Sequence, residues 1–151
     1  MKNRRFRTEY DFSKQAEKVR DFLREKFPFC RMYVEYPYTK LLKTYYKKNK
    51  VPKNLQDQHL LSLTKLKADF VILDYDLIIE VDGEQHFMPV QFGGMDFDQA
   101  LDNYYEQLHR DGKKLLLAKE IEFNLIRLRY DETLEDLDSK IWEAVFSDTE
   151  D

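Results

Sequence analysis

The chain has 151 residues, 42% of them apolar and 15% aromatic, with only four glycines and four prolines. That suits one folded domain spanning residues 1–151 and excludes a disordered or fibrous protein. The single cysteine, Cys30, excludes an internal disulfide and a thiolate zinc cluster. No apolar run approaches the roughly 20 residues of a membrane span. The basic, polar start does not read as a signal peptide, so the expected compartment is a reducing cytoplasm.

The net charge of −4 conceals an asymmetry. Residues 1–68 hold 18 Lys and Arg against 7 Asp and Glu, a net of +11, whereas residues 69–151 hold 7 against 22, a net of −15. A basic half joined to an acidic half suits a protein that grips a polyanion with one part and holds cations with the other. The alternatives are two faces that neutralise each other, or an acidic partner protein.

In chain order, residues 2–7 read as a short basic arm, either able to lie along phosphates or charged for solubility alone. Ser13 reads as the cap of an amphipathic helix reaching about Phe27, with Ala16, Val19, Phe22, Leu23 and Phe27 on one face and Pro28 ending it. Glu17 lies beside that stripe, either as a boundary residue or as an extra acid turned toward a site. Cys30 to Tyr36 alternates as a strand, with Met32, Val34 and Tyr36 on one side and Pro37 closing it. Residues 39–67 read as a basic, Lys- and Tyr-rich insertion, helical over Thr39 to Asn49 and then loop or short helix. Within it Lys43, Lys47 and Lys48, interleaved with Tyr45 and Tyr46, can contact phosphates while the rings stack on bases. A solvated helical face is the equal alternative, and His59, without polar companions, reads as structural or exposed.

Residues 69–87 are the centre of the chain. Two Val-, Ile- and Leu-rich runs flank Asp74-Tyr75-Asp76, the pattern of a β-hairpin with a tight polar turn. Side chains alternate along a strand, so Glu80 and Asp82 point one way while Leu77, Ile79 and Val81 point the other. A two-residue turn sets Asp69 opposite Glu80 or Asp82, on their face. Three carboxylates then converge at one end of a sheet, with His86 one short loop later. Like charges so gathered repel unless a divalent cation neutralises them. The plain alternative is a strand that ends in acids because it runs out into solvent.

After a loop with the only Gly-Gly pair, Asp96 and Gln99 form a capping pair for a helix from about Phe97 to Lys119. Its expected buried stripe is Phe97, Ala100, Leu101, Tyr104, Tyr105 and Leu108, and Gly112 is a possible kink. Leu125 to Tyr130 reads as a strand, Ile126, Leu128 and Tyr130 on one face, Arg127 and Arg129 on the other. A last helix runs from about Leu134 to Phe146, followed by a loose acidic tail. A final strand reached through a crossover helix lies parallel to its neighbour, so the expected fold is α/β: a mixed sheet flanked by helices on both faces.

Asp69-Phe, Ile-Ile-Glu80-Val-Asp82-Gly83-Glu-Gln-His86-Phe, Phe92-Gly-Gly-x-Asp96, Arg110-Asp111-x-x-Lys114 and Leu-Ile-Arg127-Leu-Arg129-Tyr together resemble the PD-(D/E)XK, or restriction-endonuclease-like, nuclease superfamily. They look most like its very-short-patch-repair-like branch, with the phage and homing endonucleases whose site is described as EDxHD. The resemblance covers roughly residues 12–146 and is specific over 69–130. It implies a restriction-endonuclease-like fold and a Mg²⁺- or Mn²⁺-dependent endodeoxyribonuclease that nicks or cuts duplex DNA. By the same resemblance Asp69, Glu80 and Asp82 hold metal, Asp82 replaces the usual lysine, and His86 takes the proton-transfer role. Glu17 matches the helix acid sometimes present, and Arg110 and Asp111 match an Arg-Asp pair. The Tyr-Cys and Asn-Gly segment usual in such relatives is absent at residues 115–124.

The chemistry agrees with the residues. Carboxylate-held Mg²⁺ supplies Lewis acidity and lowers the pKa of water, histidine accepts a proton near neutral pH, and Arg110, Arg127 or Arg129 can contact phosphate or merely balance nearby acids. The competing expectation is a nuclease fold without catalysis that serves as an adaptor for nucleic acid or protein. A weaker one is an acidic inhibitor of a DNA-binding protein. RNA as substrate, a homodimer or a targeting partner, and a host-cytoplasmic phage protein are compatible with the same residues.

Overall fold

The computed structural model describes the backbone of residues 2–61, 65–91 and 93–147, with side chains outside 2–13, 57–59, 61 and 85. Helix α1 (Lys2–Lys26) leads into strand β1 (Met32–Pro37), then helices α2 (Tyr38–Lys48) and α3 (Lys53–Leu61). The hairpin β2 (Lys67–Ile72) and β3 (Leu77–Asp82) follows. After a 3₁₀ turn at Glu84–His86, helix α4 (Phe97–Glu120) crosses back to β4 (Asn124–Arg129). Helix α5 (Leu134–Ile141) continues into one wider π-type turn, Trp142–Phe146.

The four strands lie in chain order, β1-β2-β3-β4. β1, β2 and β3 pair antiparallel, whereas β3 and β4 pair parallel because α4 carries the chain back to the same end of the sheet. The expected mixed α/β sheet with helices on both faces is therefore present. The hairpin is joined by four residues, Leu73–Asp76, with Asp76 at φ +50° closing the loop, a conformation that the short polar Asp side chain tolerates. Its register pairs Phe70 with Ile79, and its continuation sets Asp69 opposite Glu80.

Alternation along the strands divides the core. Phe70, Ile72, Leu77, Ile79, Val81, Ile126 and Leu128 face α1 and α5, packing on Val19, Leu23, Phe27, Leu137 and Ile141. Val71 and Ile78 face α2 and α4, packing on Leu41, Leu42, Tyr46, Leu117 and Ala118. The acids of β3 lie on this second face. Among the described residues, no helix is long and apolar enough to cross a membrane.

Several expectations change. The alternation of β1 breaks at Glu35, so Tyr36 packs on the α2 and α4 side while Met32 packs on the α1 and α5 side. No Pro or Gly interrupts residues 2–26, so α1 starts well before Ser13, which sits inside the helix. Within the segment 39–67, α2 buries Tyr38, Leu41, Leu42 and Tyr46 and forms part of one helical layer. Tyr46 is thereby unavailable for stacking. In α4 the expected stripe is buried only at Ala100, while Phe97, Tyr105 and Leu108 are exposed and the core contacts come from Leu117 and Ala118. A 24-residue helix is about 36 Å long, whereas a six-residue strand reaches only about 20 Å. The amino-terminal half of α4 therefore overhangs the sheet. Finally, α4 runs unbroken through Gly112. The readings of His59, of Phe92 and of the tail beyond residue 147, like that of the side chains of residues 2–7, lie outside the described residues.

Candidate active site

β3 supplies the centre of the site. Glu80 and Asp82 are both 2% exposed, the only buried charged residues among those described. Glu80 accepts from the Tyr38 hydroxyl (3.1 Å) at the start of α2 and from Lys114 Nζ (3.0 Å) on α4. Asp69, on the neighbouring strand, accepts from the Val81 backbone N–H (2.8 Å). Opposite Asp69, Glu35 takes φ +50° and interrupts the β1–β2 ladder.

Asp82, on the same face of β3 as Glu80, has other partners. Arg127, two positions before Arg129 on β4, grips both of its oxygens through Nη1 at 3.2 and 3.3 Å. The other arm, Nη2, reaches the Asp111 carbonyl at 3.2 Å. His86 Nδ1 lies 2.9 Å from Asp111 Oδ2 and 3.6 Å from Asp82 Oδ1. An ionised carboxylate can only accept, so Nδ1 carries the hydrogen and Nε2 is left as the basic nitrogen. Gln107 Nε2 donates to the second Asp111 oxygen at 2.9 Å, and Arg110 donates to Gln107 at 3.0 Å.

Burial governs the acids. It raises the Asp69 carboxyl against the lowering effect of the Val81 N–H and Lys114. It raises Glu80 to about 7, with the Asp69 charge adding to the effect and Lys114 opposing it. Burial also raises Asp82, although Arg127 and His86 pull it down. At Asp111 the same burial is outweighed by the His86 and Gln107 hydrogen bonds, which hold it below the ordinary aspartate value. The Tyr38 hydroxyl is held well above its usual value by burial and by the Glu80 charge, and so stays a donor.

Asp69, Glu80 and His86 line a cavity of about 280 Å³ together with Lys65, Lys67, Arg110 and Lys114. A wider cleft of about 710 Å³, between α1 and the β4–α5 turn, is lined by Glu132 and Glu135, neither of them buried. The expected trio thus separates. Asp69 and Glu80 meet at the cavity, and Asp82 is placed behind it in the grip of Arg127. Among the described residues, no three His, Cys, Asp or Glu side chains group tightly enough to hold one ion. The Asp69–Glu80 pair is nevertheless a hard-oxygen donor set, desolvated and mutually repelling when ionised, of the kind that Mg²⁺ or Mn²⁺ relieves.

The other expected residues scatter. Glu17 is exposed on α1, which packs on the opposite face of the sheet, so the structure does not bring it to the acids. Arg127 is turned onto acids rather than into the cavity. Arg129 pairs with Asp131 at 3.2 Å and lies 4.5 Å from the centre of the Phe87 ring. Lys43 and Lys47 are exposed on α2. Lys48 lines a different cleft, beside Leu73, Asp76 and Phe123 at the hairpin-turn end of the sheet.

Tyr38, Lys65, Lys67 and Gln107 were not foreseen, nor was the contact of Lys114 with Glu80. Two signals for them exist: Lys67 is two residues before Asp69 on one strand and so shares its face, and Lys114 is three residues after Asp111 on one helical face. No protein-family model matches this sequence, and comparisons with curated proteins and with solved structures give no match either.

Proposed function

We propose that the protein is a metal-dependent endonuclease that hydrolyses phosphodiester bonds in DNA. The observation that carries this reading is the cavity itself. Its lining holds two carboxyls whose charge burial disfavours, four cationic side chains and a carboxylate-oriented histidine. Cations around acids are what a site needs when the substrate is an anion and the acids must hold a cation of their own.

Asp69 and Glu80 would hold Mg²⁺ or Mn²⁺, which when bound supplies Lewis acidity and a lowered pKa for water. His86 Nε2 accepts the proton of the attacking water, and the Asp111 carboxylate steadies the imidazolium that results. The water oxygen bonds to phosphorus as the P–O bond to the leaving sugar oxygen breaks. Lys65, Lys67 and Arg110 offset the phosphate charge, and Lys114 holds Glu80 in place. Asp82 positions Arg127, whose other arm fixes the backbone beneath Asp111.

A second reading is favoured by the pairing of Glu80 with Lys114 and of Asp82 with Arg127. On that reading the acids are a neutralised structural network, and the chain is a nuclease-fold adaptor that binds nucleic acid or protein without cutting. Incubation of supercoiled plasmid with purified protein in Mg²⁺, Mn²⁺ or EDTA separates the two. Metal-dependent nicking supports the nuclease, whereas a shifted band with no cleavage in any metal supports the adaptor.

A further inference from the structure

We infer that the nucleic-acid strand leaves the cavity on one side only, across the solvent face of α2, and that the overhanging half of α4 carries none of it. This rests on the proposed cavity taking a phosphodiester, and extends that reading to the path of the chain on either side of the phosphate.

The geometry begins at the junction of α2 with the sheet. Pro37 pairs with Lys67, and the Tyr38 backbone N–H donates to the Leu66 carbonyl (3.0 Å). The amino terminus of α2 is therefore fixed beside Lys65 and Lys67, which line the cavity. From there Tyr38, Leu41, Leu42 and Tyr46 point inward. Lys40, Lys43 and Lys47 recur about one turn apart on the opposite face, all exposed. They span about 10 Å of helix, a reach of about three phosphates of one strand at roughly 3.4 Å of duplex axis each. Lys40 Nζ is also set 5.6 Å from the centre of the Tyr36 ring.

The other flank has the opposite sign. Residues 96–108 of the α4 overhang contain Asp96, Asp98, Asp102 and Glu106, all exposed, and no Lys or Arg. Phosphates approaching on that side meet like charge within the screening length of about 8 Å that physiological salt allows. The surface therefore steers a polyanion onto α2 and away from α4. The footprint is lopsided, with about three nucleotides on one side of the bound phosphate and little contact on the other.

The test is fluorescence anisotropy of labelled single-stranded and duplex 20-mers in EDTA, over a salt series. It compares wild type with the triple variant Lys40→Ala/Lys43→Ala/Lys47→Ala and with Asp98→Asn/Asp102→Asn/Glu106→Gln. All six positions are exposed, and circular dichroism verifies the fold. The lysine variant is expected to bind at least about tenfold more weakly, with the slope of log K against log salt reduced by about 1 per lysine. The α4 variant is expected to bind as tightly as wild type or tighter. Wild-type affinity and slope in the lysine variant would overturn the inference, as would loss of binding in the α4 variant, or absence of wild-type binding to either oligonucleotide. Because EDTA removes catalysis from the readout, lysine-dependent binding by a chain that cuts nothing leaves the path standing and removes only the nuclease reading.

Discussion

Glu80 makes the fold sensitive to pH in a way that one substitution exposes. An ordinary glutamate titrates at 4.5, and burial beside Asp69 raises Glu80 to about 7. Between those values the folded chain holds a proton that the unfolded chain has lost, so stability falls as pH rises. The contribution is complete below pH 4.5 and lost once pH has passed through 7. The difference in pKa corresponds to about 3 kcal/mol. Glu80→Gln keeps an acceptor for the Tyr38 hydroxyl and cannot ionise, so it escapes the loss. Urea unfolding of both proteins from pH 4.5 to 8, followed by far-ultraviolet circular dichroism, measures the difference, from which titrations common to both drop out. The stability of Glu80→Gln relative to wild type is expected to rise by about 3 kcal/mol over that window. Parallel curves would refute the reasoning, because Glu80 would then ionise as it does in water. Magnesium added at pH 8 is expected to recover part of the loss in wild type and little in Glu80→Gln, since a bound cation favours the ionised carboxylate.

Other predictions concern the remaining pairs. Arg127→Met leaves Asp82 buried without its cation and is expected to cost about 3–5 kcal/mol in urea unfolding, most of it recovered in the Arg127→Met/Asp82→Asn double variant. No recovery in the double variant would mean that Arg127 acts through packing. His86→Ala is expected to lower cleavage by about 10²–10⁴-fold while leaving DNA affinity in EDTA unchanged, and added imidazole should restore part of the rate. Leu137→Ala, at a fully buried contact of α5 with the sheet, is expected to cost about 2–5 kcal/mol by the same unfolding assay.

Much of the sheet was legible because period-2 alternation is a local signal. The hairpin acids and the face carrying Arg127 and Arg129 follow from residues near one another in the chain, and the parallel return to β4 follows from the crossover helix between the two strands. The site was less legible, for two physical reasons. A carboxylate on the expected face still has a choice of partners: Asp82 pairs with Arg127, and only the parallel β3–β4 register, Glu80 beside Arg127 and Asp82 beside Arg129, puts that cation within reach. A helical stripe, in turn, records amphipathicity but not what lies beneath it. The aromatic half of α4 had the pattern of a buried helix and extends past the end of the sheet. Glu17 illustrates the same limit, being acidic and on a core helix, yet on the face of the sheet away from Glu80. Tyr38 had no local signal, since its role depends on where α2 docks.

The most direct measurement is the rate at which Asp69→Asn protein nicks supercoiled plasmid in Mg²⁺ and in Mn²⁺, beside wild type and Glu17→Gln. The account predicts metal-dependent nicking by wild type and Glu17→Gln, and loss of activity in Asp69→Asn even though the folded chain still binds DNA. Nicking by Asp69→Asn at the wild-type rate would contradict it, because the carboxyl pair of the cavity would then have no part in the reaction.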